Sequence, residues 1–277
     1  MNINAQTALY CVMGNPVGHS LSPAMHNAAF AHLGLNAVYL AFRIEDVKQA
    51  MNAMRTLPIL GASVTIPHKL GVMEHLDHVD EIASRMGAVN TILNRDGKLY
   101  GTNTDGPGAA MALEAATPLA GKRVLVLGSG GVARAIALSV ADRGSSVTVA
   151  HRPEDKAEAE RLARDLGCSL ALLLDASGIA CDVAVNATPV GMHPDVDASP
   201  VPASFFKPGM TAMDAVYNPL ATRFLKDAAA AGCVTVGGAE MFIYQGAAQL
   251  SLWTGREAPV DLMRGIVLTA LKQRQGK

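Results

Sequence analysis

The stretch SVTIPHK, residues 63–69, ends an apolar run on a proline and then sets down a lysine. The preceding LPILGASVTI is rich in β-branched and aliphatic residues, so it reads as a buried strand that breaks at Pro67. Lys69 then stands at the C-terminal end of a strand, where open α/β sheets bind ligands. An amine there is either an ordinary solvated charge, as most lysines are, or a group placed over a site. A second stretch, VLVLGSGGVARA, puts Gly128, Gly130 and Ala133 in a G-x-G-x-x-A pattern after a strand and at the opening of a helix. Gly128 allows the tight turn, Gly130 lets backbone approach a pyrophosphate, and Ala133 permits close packing, while N–H groups of the helix N-terminus face the anion. A glycine turn without a ligand is the plainer alternative.

The next strand ends at His151-Arg152, 23 residues after Gly128. That is near the position, about 20 residues on, where NAD-binding folds place an acid on the ribose hydroxyl. Here there is none. A carboxylate would repel the 2'-phosphate of NADP, whereas a guanidinium grips it with paired hydrogen bonds, so Arg152, with Lys156, favours NADP over a merely solvated arginine. Glu154 and Asp155 could suit NAD instead, but they also fit the first turn of a helix. His75 and His78 are expected to share a helix face, and two histidines without a third ligand form a solvated surface rather than a metal site. No metal is expected.

These residues need elements to position them. Strand-like runs ALYCVMG, AVYLAF and ILGASVTI alternate with helix-like SPAMHNAAFAHLG and EDVKQAMNAM, which predicts parallel β-α-β units. Ser22 is expected to cap the first helix, Pro23 to occupy its first position and Gly34 to end it. Asp96-Gly97 predicts a hairpin that closes a first lobe near residue 104. A second series follows, KRVLVLG, SSVTVAH, SLALLL, DVAVNAT and TAMDAVY, read as five strands with intervening helices and ending around CVTVGG. TPVGMHPDVDASPVP is expected to be a surface loop. After Gly238 only helical pattern remains, and the terminal helices are expected to return to the first lobe.

At 277 residues the chain exceeds one usual core. Its 23 basic and 24 acidic residues lack the basic excess that nucleic acid or an anionic membrane demands, so a small molecule is the expected partner. Cys11, Cys168, Cys181 and Cys233 show no zinc or C-x-x-C spacing and suit a reducing compartment. Without a charged leader or an apolar run of roughly 18 residues, a soluble cytoplasmic protein is expected.

Taken in order, GNPVGHSLSPAMHNAAF, SVTIPHK, GAVNT, GTNTDGPG, GSGGVARA, NATPVGM, DAVYNP and GGAEMFIYQGAAQLSLWTG make the chain resemble the shikimate dehydrogenase family over nearly its full length. The resemblance implies an α/β fold with a substrate-binding domain at 1–104, a Rossmann-like NADP-binding domain at 105–239 and C-terminal helices at 240–277 that return to the substrate domain. It implies reduction of 3-dehydroshikimate to shikimate by NADPH, on the route to chorismate and the aromatic amino acids, in a monomer or homodimer. By resemblance, Ser20 and Ser22 meet the substrate carboxylate. Thr65, Lys69, Asn90, Asp105 and Gln245 line the polyol, and Tyr217 lies near the carboxylate end. On the cofactor side the resemblance implies Gly128, Ser129, Gly130, Gly131 and Val132 at the pyrophosphate, and His151, Arg152 and Lys156 at the adenosine phosphate. Thr188 follows the NAT strand, Ala215 and Gly238 are placed near the nicotinamide, and Glu81 close to the cofactor. Taken singly, these residues also fit turn, cap and surface positions.

The chain departs from the family pattern at Ser63, commonly asparagine, at His151 and Pro153, usually asparagine and threonine, and at Glu240, usually small. Ser63 is expected to matter little. Pro153 offers a phosphate neither a hydroxyl nor an N–H. In the implied mechanism Lys69 is the proton donor and Asp105 orients it. A free lysine near pKa 10.4 is tuned to roughly 7 to 8 in such roles; desolvation lowers it and a neighbouring carboxylate raises it. Two alternatives stand beside this reading: an enzyme that also uses quinate, with NAD or NADP, and a sensor that binds shikimate or nucleotide without turnover.

Overall fold

The computed structural model describes residues 3–275, which fall into two units: one runs to Thr104 and resumes at Gln245, the other spans Asp105–Tyr244. In the first, β1 (Ala8–Gly14), α1 (Ser22–His32), β2 (Ala37–Arg43), α2 (Val47–Thr56) and β3 (Ile59–Val64) form the expected alternation, and β1 pairs in parallel with both β2 and β3. Two hydrogen bonds lock α1 to the sheet: the Asn27 side chain donates to Tyr39 O and accepts from Tyr39 N, each at 2.8 Å. Ser22 does not cap α1. The N-cap position is Leu21, without a side-chain bond, and the Ser22 N–H donates instead to Ser20 Oγ at 3.2 Å. Gly34, at φ +66°, ends the helix as expected.

A 3₁₀ turn (Gly71–His75) follows, then β4 (His78–Val79), α3 (Glu81–Met86), β5 (Thr91–Arg95) and β6 (Lys98–Thr102). His75 and His78 therefore do not share a helix face: one closes a 3₁₀ turn and the other lies in a short strand paired with β6. β5 and β6 are antiparallel across Asp96-Gly97, both at positive φ (53° and 81°), the geometry of a two-residue primed turn. The sheet order is β2-β1-β3-β5-β6-β4. Met13, Met51, Met54, Val64, Ile92 and Leu99 are among the residues of its core.

The second unit contains α4 (Asp105–Glu114), β7 (Arg123–Leu127), α5 (Gly131–Ala141), β8 (Ser146–His151), α6 (Lys156–Leu166), β9 (Ser169–Leu172), β10 (Val183–Asn186), β11 (Thr211–Asp214), α7 (Arg223–Ala230) and β12 (Val234–Val236). Its sheet has six strands rather than five, because the short CVTVGG segment adds β12 at the edge. The order β12-β11-β10-β7-β8-β9 is parallel throughout, the doubly wound Rossmann arrangement. Two core clusters hold this unit, one including Val124, Val126, Ile136 and Val149, the other Leu125, Leu127, Phe205 and Phe224. α8 (Gly238–Thr254) begins in the second unit and, from Gln245, belongs to the first with α9 (Val260–Gln275).

Candidate active site

In the first sheet β1 and β3 are neighbours, and the connections leave β1 on one side and return on the other. That reversal is a topological switch point, where the loops after the strand ends part and leave a crevice. The loops after Gly14 and Val64 carry Ser20 and Thr65 to Lys69, while Ser22 opens α1. They are fastened together: Thr65 N donates to Met13 O at 2.9 Å, and Asn15 N to Ile66 O at 3.1 Å. Gly14 is required because a Cβ there would collide with the Thr65 side chain. Lys69 is fixed through its backbone, its carbonyl accepting from Val89 N at 2.9 Å, and through His68, whose Nε2 donates to Ile44 O at 3.0 Å.

Because β5 runs antiparallel to β3 and β6, its start and the end of β6 lie at this same end of the sheet. Val64 N donates to Asn90 O at 2.7 Å, so Asn90 sits against the end of β3. Its Oδ1 accepts from Thr104 N at 2.8 Å and Thr91 Oγ1 at 2.7 Å, and its Nδ2 donates to Thr104 Oγ1 at 3.0 Å. α8 runs alongside β5. Gln249 Nε2 donates to Thr91 Oγ1 at 2.9 Å, and one turn later Trp253 Nε1 donates to Ile92 O at 3.0 Å. Gln245, buried and one turn before Gln249, is on the same helix face, about 6 Å further toward the end where Asn90 lies.

Ser63 matters more than expected. Its Oγ lies 2.6 Å from Tyr39 Oη and donates to Gln249 Oε1 at 2.7 Å, tying β2, β3 and α8 into one buried network. Tyr39, Thr91, Thr104 and Gln249 were not among the candidates; apart from the bond between the neighbours Thr91 and Asn90, the bonds of this network join residues distant in sequence, so no local pattern marks them.

In the second unit the switch point falls between β7 and β10. Gly128 follows β7 with φ +108°, and a Cβ on it would lie 3.1 Å from Thr188 Cγ2, so the turn after β7 touches the turn after β10. Gly130 is the N-cap of α5 with no side-chain bond, and Cβ atoms on Gly130 or Gly131 would meet nothing within 4 Å. Ser129 is buried and Val132 exposed. An uncapped helix start behind an open glycine turn fits a dinucleotide's pyrophosphate. Thr188 is oriented by Asn186, whose Oδ1 accepts from Thr188 N at 3.0 Å and Oγ1 at 2.6 Å. Asn186 is held in turn by buried Asp214, which also accepts from Val216 N at 2.9 Å and Thr222 Oγ1 at 2.6 Å. Burial pushes the Asp214 carboxyl above its ordinary range against the opposing pull of these hydrogen bonds. Gly238 abuts Ala215, since a Cβ would come within 2.6 Å of Ala215 O.

His151 is buried, and its Nδ1 donates to Arg152 O at 2.8 Å, steadying the loop. Arg152 is engaged: Nε donates to Asp155 Oδ2 at 2.7 Å and Nη2 to Oδ1 at 3.2 Å, with Glu154 Oε1 3.4 Å from Nη1. Pro153 opens the 3₁₀ turn that brings Asp155 back to it. Lys156 pairs with Glu160 at 3.7 Å. A guanidinium on the loop after β8 and an ammonium at the start of α6 fit a 2'-phosphate, provided Arg152 exchanges its partner.

Ser20, Ser22, Thr65, Lys69, Glu81, Asn90 and Gln245 belong to the first unit. Asp105, the first residue of α4, belongs to the second with Tyr217 and the nucleotide residues. Glu81 lies in the first turn of α3, where an acid suits the helix end. The half-exposed Tyr217 ring lies 6.0 Å from that of Phe242. Among the described residues no group of three or more His, Cys, Asp or Glu could hold a metal ion, and no helix is long and apolar enough to cross a membrane.

Residues 12–92 match the family model of the shikimate dehydrogenase substrate binding domain, and residues 238–268 that of the shikimate 5'-dehydrogenase C-terminal domain. The shikimate dehydrogenase (NADP(+)) of Moorella thermoacetica is 44% identical, over 100% of this chain and 98% of its own. The solved structure of shikimate 5-dehydrogenase from Thermus thermophilus in complex with NADP(H) and shikimate has a TM-score of 0.89 and 39% identity, covering 96% of this chain and 100% of that one. The Listeria monocytogenes enzyme in complex with shikimate and NAD has a TM-score of 0.91 and 36% identity, covering 96% and 98%.

Proposed function

The chain belongs to the shikimate dehydrogenase family, and from that premise we propose that Lys69 and Asp105 carry its NADP-linked interconversion of 3-dehydroshikimate and shikimate. The activity is that of an oxidoreductase acting on a CH–OH group in aromatic biosynthesis. When bound, NADPH supplies the hydride. The chain's own task is to hold the ketone and manage one proton. Lys69 gives its Nζ proton to the ketone oxygen as that oxygen gains negative charge, and takes it back in the reverse direction. Asp105 accepts a hydrogen bond from the neighbouring substrate hydroxyl and so orients it.

Ser20 and Ser22, at the start of α1, receive the substrate carboxylate, with Tyr217 toward that end; Thr65, Asn90 and Gln245 take its hydroxyls. The glycine turn from Gly128 to Val132 receives the pyrophosphate. His151, Arg152 and Lys156 serve the adenosine phosphate, Thr188, Ala215 and Gly238 the nicotinamide side, and Glu81 the cofactor's edge. We place the reaction in the cytoplasm, in keeping with four free cysteines.

The observation that carries the substrate assignment is the convergence of Ser20, Thr65, Lys69 and Asn90 at one switch-point end of a sheet. Parallel kinetics of shikimate and quinate oxidation with NADP+ and NAD+ test it. NADP+-linked shikimate oxidation is expected to have the highest kcat/KM. A higher value with quinate would reassign the substrate, and binding of shikimate without turnover would make the chain a sensor.

A further inference from the structure

Asn186, Asp214 and Thr222 are fully buried polar residues of the second unit, and the direction of their hydrogen bonds is fixed by backbone atoms that have only one role. The Thr188 N–H can only donate, so the Asn186 atom 3.0 Å from it is Oδ1; the Val190 carbonyl can only accept, so the Asn186 atom 3.1 Å from it is Nδ2. The second N–H of Nδ2 goes to Asp214 Oδ1 at 3.0 Å, which commits the amide completely. Asp214 is anchored in turn by Val216 N on the same oxygen and by Thr222 Oγ1 on the other. Thr188 Oγ1 spends its one proton on Asn186 Oδ1 at 2.6 Å, and one of its two lone pairs accepts from Val190 N at 3.2 Å. Toward a ligand this half-buried hydroxyl can therefore only accept. An ionised phosphate oxygen, which has no proton to give, gains nothing from it; an O–H or N–H does.

We propose that Asp214 is a positioning residue for dinucleotide recognition, acting through Asn186 to hold the Thr188 oxygen as the acceptor for a ribose O–H or the carboxamide N–H of NADP. The proposal rests on the assignment of Thr188 to the cofactor site. Asp214 touches no ligand in this scheme. A Cβ on Gly128 would lie 3.1 Å from the Thr188 methyl group, so the oxygen that the relay fixes stands at the switch point, beside the glycine turn.

A double-mutant cycle of Asp214→Leu and Thr188→Val, read by calorimetric titration of NADP+ and, separately, of 2',5'-ADP, tests this. Each single substitution is expected to weaken NADP+ binding by about five- to tenfold, the loss typical of one hydrogen bond. In the double variant the effects should not multiply: it should bind NADP+ no more than about twofold worse than Thr188→Val alone. A loss confined to NADP+ supports the relay with the donor in the nicotinamide half, and an equal loss with 2',5'-ADP supports it with the donor on the adenosine ribose. Asp214→Asn should restore affinity, because its carbonyl can face Asn186 and Val216 while its amide nitrogen faces the Thr222 hydroxyl, which can accept. A Thr188→Val variant with unaltered NADP+ affinity would remove Thr188 from the cofactor site and the proposal with it. A normal Thr188 effect beside an unaffected Asp214→Leu, multiplying losses, or an asparagine as damaging as the leucine would overturn the relay alone. Should Asp214→Leu not fold, Asn186→Ala takes its place in the cycle with the same expectations, and multiplying losses there would end the proposal.

Discussion

Asp155 holds Arg152 in a two-pronged grip, with Nε on Oδ2 at 2.7 Å and Nη2 on Oδ1 at 3.2 Å. The nearby guanidinium pulls the Asp155 carboxyl below its ordinary range, so it stays charged at neutral pH. A 2'-phosphate must displace this carboxylate to reach the guanidinium, and both anions then stand close together. Asp155→Asn should therefore tighten binding of 2',5'-ADP, by about two- to fivefold given how weakly exposed ion pairs hold, while leaving 5'-ADP unchanged. Titration of both nucleotides at low and physiological salt measures it. Equal affinities in wild type and variant would mean that Arg152 is not the phosphate's partner.

Lys69→Ala should lower turnover by about 100-fold or more, as loss of a general acid does, with a smaller effect on KM. Lys69→Arg should not restore the rate, because a guanidinium keeps its proton and has a different shape. Steady-state kinetics in both directions provide the check. An alanine variant with near-normal kcat would leave Lys69 without a role in proton transfer.

Local sequence made the hairpin at Asp96-Gly97 legible because only a few residues accept two successive positive φ values, and the observed 53° and 81° are of that kind. The glycine turn before α5 was legible for a similar reason, a backbone approach that side chains would block. His78–Val79 was not, since two residues carry no period and the strand exists only because β6 offers it an edge. Ser22 has the right chemistry for a cap, but Leu21 occupies the N-cap and the serine falls inside the helix. The grip of Asp155 on Arg152 lay within reach of a spacing argument, while the bond between Ser63 and Gln249 spans 186 residues and had no local signal.

The first unit should lose stability in mild acid because of His26. This ring is fully buried, stacked on Tyr39 at 4.5 Å and 16°, and neither ring nitrogen has a hydrogen-bond partner. Burial lowers its pKa to about 3, with the neighbouring Gln249 amide opposing without completing a hydrogen bond. In the unfolded chain the imidazole titrates near its ordinary 6.5. Between those values the unfolded state binds a proton that the folded state refuses, so stability is full above about pH 6.5 and falls as the pH drops. At about 1.4 kcal/mol per pH unit, the passage from pH 7 to pH 5 costs about 2 kcal/mol through this residue. Asp182, held down to about 2 chiefly by Arg123, titrates below that window. Urea unfolding midpoints at pH 7 and pH 5 should therefore differ more for the wild type than for His26→Phe, which has no proton to bind; the other histidines cancel in the comparison. Equal pH dependence in the two proteins would show that the ring is protonated, or reached by water, inside the fold.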